Sequence, residues 1–190
     1  MLDLCAGLGG AHQAMKQRGW DVMTVDNNPA FNPDITADVT QWQYEGPRPD
    51  LLWASPPCTE FSRESQPWIR TGNPPDMAIT AACIQLIDQI KPRFWVLENV
   101  RGAIKYFRPI LGKPRLHAGP FFLWGFFPMP GEINTRTWKQ KQSYGSKQAA
   151  QRAMIPLSLS NAIAEQIERQ PILSNDPFFA WNDQWHSWSG

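Results

Sequence analysis

Short apolar runs alternate with polar stretches rich in glycine and proline. The opening "MLDLCAG" predicts a strand. "GLGGAHQAMKQRG" predicts a helix closing at Gly19, a common helix-stop residue. "WDVMTVD" predicts a second strand ending in an acid. "NNPAFNPDITADV" predicts turns around a short third strand near Ile35, and "DLLWAS" a fourth strand. From Met77 to Ile90 apolar residues recur at helical spacing, and the pattern stops before Pro92. "RFWVLENV" and the aromatic "GPFFLWGFF" predict a fifth and sixth strand. "PLSLSNAIAEQIERQ" predicts an amphipathic helix with Pro156 in its first turn. Between the last two, Met129 to Gln151 is polar and irregular, and no segment repeats another.

Strands alternating with helices imply an α/β fold with a mostly parallel sheet flanked by helices. In such sheets ligands bind beyond the carboxyl ends of the strands. Gly7 to Gly10, Asp26, Asp38, Pro56 to Cys58 and Glu98-Asn99 all follow predicted strands, so they are expected to share one crevice.

A chain of 190 residues suffices for one domain with a sizeable core. Its formal net charge of +1 gives no global signature of nucleic-acid binding and leaves a local basic face open. Cys5, Cys58 and Cys83 are sparse, odd in number and lack a CxxC, which argues against a disulfide framework or cysteine-rich zinc site and for a reducing compartment. With no membrane-length apolar run and no signal-like start, the expectation is a cytoplasmic protein that engages neither membrane nor metal. The aromatic stretch 171–190 reads as a tail, packed through its aromatics or disordered.

Two stretches carry candidate chemistry. In "DLCAGLGG", glycines let a ligand approach the backbone where a helix begins, and Asp26 at the next strand end suits a ribose diol. His12 stands where a third glycine would complete a dinucleotide fingerprint, so an adenosine-containing cofactor is favoured over a nicotinamide. In "WASPPCTEF", Pro56 and Pro57 stiffen the exit from a strand and fix Cys58 just beyond it. Taken alone, Cys58 is either an inert buried thiol or a nucleophile.

Together, "DLCAGLGG", "VDNNP", "ITADV", "SPPCTEFS" and "VLENV", in this order and at these intervals, resemble the motifs of the DNA cytosine-5 methyltransferases. The resemblance runs from Leu2 to about Arg101 and resumes weakly at "RAMIPLSLSNAIAEQI". It implies a Rossmann-like, S-adenosylmethionine-dependent methyltransferase fold over residues 1–170, acting on double-stranded DNA. Cofactor contacts are implied for Asp3, Cys5, Ala6, Gly7, Gly9, Gly10, Asp26, Asn27, Asp38, Val39, Ser55 and Pro57, with Asp26 on the ribose and Asp38 on the adenine amine. Cys58 is the implied nucleophile toward carbon 6 of cytosine. Glu98 is the implied partner of N3 and the exocyclic amine, with a raised pKa in its apolar strand, and Asn99 positions the thiol loop. Cys5 and Cys83 otherwise read as structural.

Departures from the family pattern shape the rest. Its basic Gln-x-Arg-x-Arg motif is matched loosely by "KPRLH", which makes Arg115 the candidate for bonding the cytosine carbonyl. Cys5 replaces a common Phe, Asn27 a common apolar neighbour, and "RAMIP" lacks a usual Gly-Asn pair. The segment that reads DNA sequence shrinks to 129–151, with Arg136, Lys139, Lys141 and Lys147 around Trp138 and Tyr144. Low specificity, or a protein partner that supplies recognition, is the expectation. The same chemistry on RNA or a free cytosine nucleotide, and a non-autonomous subunit of a two-chain enzyme, remain alternatives. So minimal a form fits a compact viral or bacterial gene.

Overall fold

The computed structural model describes residues 1–64, 74–135, 138, 151 and 153–171. The expectations for the basic side chains of 136–147 and for the tail beyond 171 lie outside the described residues.

Seven strands form one sheet: β1 (Leu2–Leu4), β2 (Met23–Asp26), β3 (Ile35–Thr36), β4 (Leu51–Ala54), β5 (Phe94–Asn99), β6 (Leu116–Ala118) and β7 (Phe121–Phe126). Their spatial order is β3-β2-β1-β4-β5-β7-β6. β1 pairs in parallel with both β2 and β4, and β4 with β5, whereas β7 runs antiparallel between β5 and β6. The chain winds outward from β1 in one direction and from β4 in the other. The strand order therefore reverses between them, which opens a crevice at their carboxyl ends. This is the α/β fold expected from the sequence.

Each face of the sheet has its own core, because successive side chains of a strand alternate sides. Leu2, Leu4, Leu52, Ala54 and Leu97 pack on one face with Cys83, Leu86 and Ile87 of α3 (Ala78–Ile90) and Phe107 of α4 (Ile104–Leu111). Leu51, Trp53, Phe94 and Val96 pack on the other with Ala14 and Met15 of α1 (Gln13–Gln17) and Leu159, Ile163 and Ile167 of α5 (Leu157–Glu168). All four residues of β4 are buried, as a central strand covered on both sides requires. The Arg18 guanidinium after α1 bonds Glu168 and Asn161 of α5, and the Trp20 indole donates to Glu168 over 2.8 Å. These contacts tie together the two helices of that face.

Several boundaries differ from the sequence reading. α1 begins at Gln13, because residues 5–12 are spent on a turn rather than on early helix. The second strand begins at Met23, not Trp20. The short helix α2 (Thr59–Glu64), α4 and the strand β6 were not anticipated. α4 holds Pro109 within it and stops at Gly112, so its sequence carries helix-breaking signals at both places. β7 approaches β5 so closely that a Cβ on Gly125 (φ +139°) would lie 2.1 Å from the Trp95 carbonyl oxygen. Among the described residues no helix is long and apolar enough to cross a membrane.

Candidate active site

The crevice has two halves. The first is the turn after β1. Cys5 (φ +57°), Gly7 (φ +53°) and Gly9 (φ +82°) take left-handed backbone, which reverses the chain within a few residues. Asp26, at the end of β2, holds this turn. Its two carboxylate oxygens accept the backbone N–H groups of Gly7 and Asn28, each over 2.9 Å. Beneath the turn lies Asp3, fully buried on β1. His12 Nδ1–H donates to Asp3 Oδ2 over 2.7 Å, and Asp3 Oδ1 has no hydrogen-bond partner among the described residues. Burial pushes the Asp3 carboxyl up from its ordinary value, against the pull of His12. A Cβ on Gly10 would fall 2.5 Å from the Ile155 backbone, so the chain entering α5 rests directly on the turn.

These features fit an adenosine-type cofactor: a left-handed glycine turn that leaves open space beside Gly7, and a buried acid at the next strand end. The other expected cofactor residues lie around this turn in different settings. Asn27 is exposed. Asp38 is exposed and closes a turn, accepting the Thr40 backbone N–H and hydroxyl over 2.9 and 2.8 Å, which hold its carboxyl below the usual range. The Val39 side chain is buried in the apolar core. The Cys5 thiol bonds that of Cys83 on α3, and this contact and burial push it far up, in keeping with a structural role for both.

The second half is the loop after β4. Pro56 is buried, Pro57 is exposed, and Cys58 directly precedes α2. Asn99, fully buried at the end of β5, donates its amide to the Pro56 carbonyl over 3.0 Å and accepts the Val100 N–H over 2.9 Å. The thiol loop is thereby fastened to the strand that carries Glu98. The Glu98 carboxyl is buried and its pKa is pushed up to about 8, chiefly by desolvation, with a hydrogen bond from Ser55 acting in the opposite direction. A raised value is what the apolar strand around it led one to expect. The Cys58 thiol is also raised, first by burial and then by the negative charge of Glu98, while a hydrogen bond with Ser62 opposes the rise. A Cys58 thiolate is therefore easiest to form while Glu98 holds a proton.

Cys58, Glu98 and Asn99 are thus brought together, and Arg115 is not. Leu116 and Glu98 both pair with Leu123, so the Arg115 backbone lies near the level of Glu98 but two strands away across β7, and its side chain turns back along β7, away from Cys58. Its side chain is fixed there, with Nε–H donating to the Phe127 carbonyl over 2.9 Å and the guanidinium 5.6 Å from the Phe127 ring centroid. Only the Gly119-Pro120 turn separates β6 from the aromatic strand β7, so the place expected for a basic motif is taken by a tight hairpin. Ser55, expected at the cofactor, bonds Glu98 and accepts the Trp53 indole N–H over 3.1 Å.

Ser62, His12 and Trp53 were missed by the sequence reading. Ser62 had a signal, since it lies four residues beyond Cys58, one turn along if a helix begins there. His12 had none beyond interrupting the glycine pattern. Among the described residues no group of three or more His, Cys, Asp or Glu side chains could hold a metal ion.

A family model described as C-5 cytosine-specific DNA methylase matches residues 1–108, more than half of the chain. A Frog virus 3 (isolate Goorha) protein named as a probable DNA (cytosine-5)-methyltransferase is 30% identical over 115 residues, 52% of this chain and 52% of that protein. Among solved structures, a candidate DNA modification methyltransferase encoded within an E. coli prophage is 20% identical, over 66% of this chain and 45% of that chain, with a TM-score of 0.43. A Spodoptera frugiperda DNMT2 mutant is 21% identical, over 67% of this chain and 51% of that chain, with a TM-score of 0.38. The chain spans about half the length of these relatives.

Proposed function

Because the chain belongs to the C-5 cytosine-specific DNA methylase family, we propose that it transfers a methyl group from S-adenosylmethionine to carbon 5 of cytosine in double-stranded DNA. The observation that carries this reading is the fastening of the Pro56–Cys58 loop, through Asn99, to the strand that presents a buried Glu98.

Carbon 5 of cytosine is a weak nucleophile. Addition of the Cys58 thiolate to carbon 6 turns the ring into an enamine, which divides one difficult step into two easier ones. Electron density moves onto the pyrimidine as the carbon–sulfur bond forms. Glu98, holding a proton against N3, neutralises it. Once carbon 5 carries the methyl group, its proton leaves to a base, the ring electrons return, and the carbon–sulfur bond breaks to release Cys58. Cys58 meets the base only after the nucleotide has left the duplex, at a cost of a few kcal/mol. The stiff prolines and Asn99 hold the sulfur in place, where a displacement of roughly 1 Å lowers the rate by about 10²-fold.

Gly7, Gly9, Gly10 and Asp26 are the residues that would hold S-adenosylmethionine, with Asp3 and His12 supporting the turn from below. When bound, the cofactor supplies a methyl group on a sulfonium, electrophilic enough for the enamine. The segment 129–151 is short for base-edge readout, so we assign low sequence specificity, or a recognition partner, to this protein.

The test is incubation of purified protein with S-adenosylmethionine and mixed-sequence duplex DNA, followed by nucleoside mass spectrometry. 5-Methylcytosine that disappears in Cys58→Ala supports the proposal. Product on RNA or a free nucleotide but not on DNA overturns the substrate, and no product on any of them overturns autonomous catalysis. Bisulfite sequencing then reads specificity, and a long, strictly defined site without a partner would refute the last assignment.

A further inference from the structure

We infer that Ser55 is a positioning residue that decides which oxygen of the Glu98 carboxyl carries the proton. The inference rests on the function proposed above and adds a residue to it.

Hydrogen-bond counting leads there. The Trp53 indole has one N–H and accepts nothing, so in its 3.1 Å contact Ser55 Oγ is the acceptor. Trp53 is fully buried in the core beneath β4, which fixes the direction of that donation. Ser55 keeps one hydrogen, and the parallel β4–β5 register sets its side chain beside that of Glu98, to which its hydrogen bond goes. Were Glu98 to donate to Ser55, the serine hydrogen would have only solvent to pair with. Donation runs instead from Trp53 to Ser55 to the near oxygen of Glu98, and every hydrogen is placed. The near oxygen is then an acceptor, and a proton on Glu98 resides on the other one. A carboxyl turned this way offers its O–H to a ring nitrogen and cannot turn it back into the protein.

The backbone sets up this relay. Trp53 and Ser55 are two residues apart on an extended segment and so point to the same side. β4 and β5 pair in parallel with Ala54 opposite Leu97, which puts Ser55 level with Glu98. Ser55 N–H bonds the Leu4 carbonyl over 3.1 Å, holding the residue in the sheet beyond the end of β4.

The experiment compares wild type, Ser55→Ala and Ser55→Thr in single-turnover methyl transfer across the alkaline range, with cofactor affinity measured by calorimetry. Ser55→Ala is expected to slow transfer by about 10-fold with affinity unchanged. Its alkaline limb moves to higher pH, because the lost hydrogen bond favours ionised Glu98, and Ser55→Thr restores both. Weakened cofactor binding with an unchanged pH profile, or equal loss in both variants, would overturn the inference. An activity-independent readout separates it from the proposed function. Infrared difference spectra follow the protonated carboxyl band that is missing from Glu98→Gln. If wild type transfers no methyl group, the function fails. The inference still stands if Ser55→Ala shifts this band and its titration midpoint, and it falls if neither moves.

Discussion

The Asn99 side-chain amide reaches across from β5 and bonds the Pro56 carbonyl over 3.0 Å, so the strand bearing Glu98 also carries the anchor of the Cys58 loop. Asn99→Ala leaves that carbonyl and the Val100 N–H without their partner. Melting should show a loss of about 1–3 kcal/mol. Methyl transfer should fall by about 10²-fold, with the affinity for S-adenosylmethionine unchanged, since the change displaces the thiol and not the glycine turn.

Glu98 makes stability depend on pH. Its folded pKa of about 8 lies above the ordinary carboxylate value because burial disfavours the charge. Its contribution to stability is therefore full below the unfolded pKa and is lost as pH rises through about 8. Glu98→Gln should melt higher than wild type in mildly alkaline buffer, and the gap should close toward acid pH, while methyl transfer collapses. Parallel melting curves at all pH values would show that Glu98 is not buried in this way.

Cofactor binding should depend on Asp26 through the backbone it organises. Asp26→Asn has one acceptor oxygen where two N–H groups, from Gly7 and Asn28, now bond. Calorimetry with S-adenosylmethionine should show affinity reduced by about 10-fold, the equivalent of one lost net hydrogen bond. Asp38→Asn should do less, because the Asp38 carboxylate is exposed and engaged in its own turn.

His12→Ala should expose the strain under the glycine turn. It removes the hydrogen bond that pulls the buried Asp3 carboxyl down, at an expected loss of about 1–3 kcal/mol. Because the folded pKa of Asp3 is already raised and rises further, the destabilisation should grow as pH increases. Adding Asp3→Asn should recover part of it, since a neutral amide is easier to bury. Thermal melts of the single and double variants across pH measure all three effects.

How much of this was legible beforehand differs from residue to residue. Cys58 and Glu98-Asn99 could be placed because each follows an apolar run, and in a parallel sheet the ends of such runs converge. Asp26 could be placed for the same reason. Arg115 could not, because its assignment needed to know that "RLHA" pairs with the aromatic strand as a hairpin. The pattern around Leu116 is too short to announce a strand, and only pairing with β7 makes it one. α4 hid behind Pro109 for a similar reason: local propensity argued against a helix that burial of Phe107 stabilises.

The sequence by itself determined the parallel α/β architecture, the crevice and the three side chains that meet around its Cys58 half. Those properties follow from periodicity and from strand ends, which are local in the chain. The tertiary structure alone decided the partnerships of Ser55 with Glu98 and of His12 with Asp3, and that Asn99 holds the thiol loop by the Pro56 carbonyl. It alone also set the direction of the Asp3 and Cys58 titrations, because desolvation there depends on what the rest of the chain packs around the group, whereas the apolar run around Glu98 already pointed to its raised value.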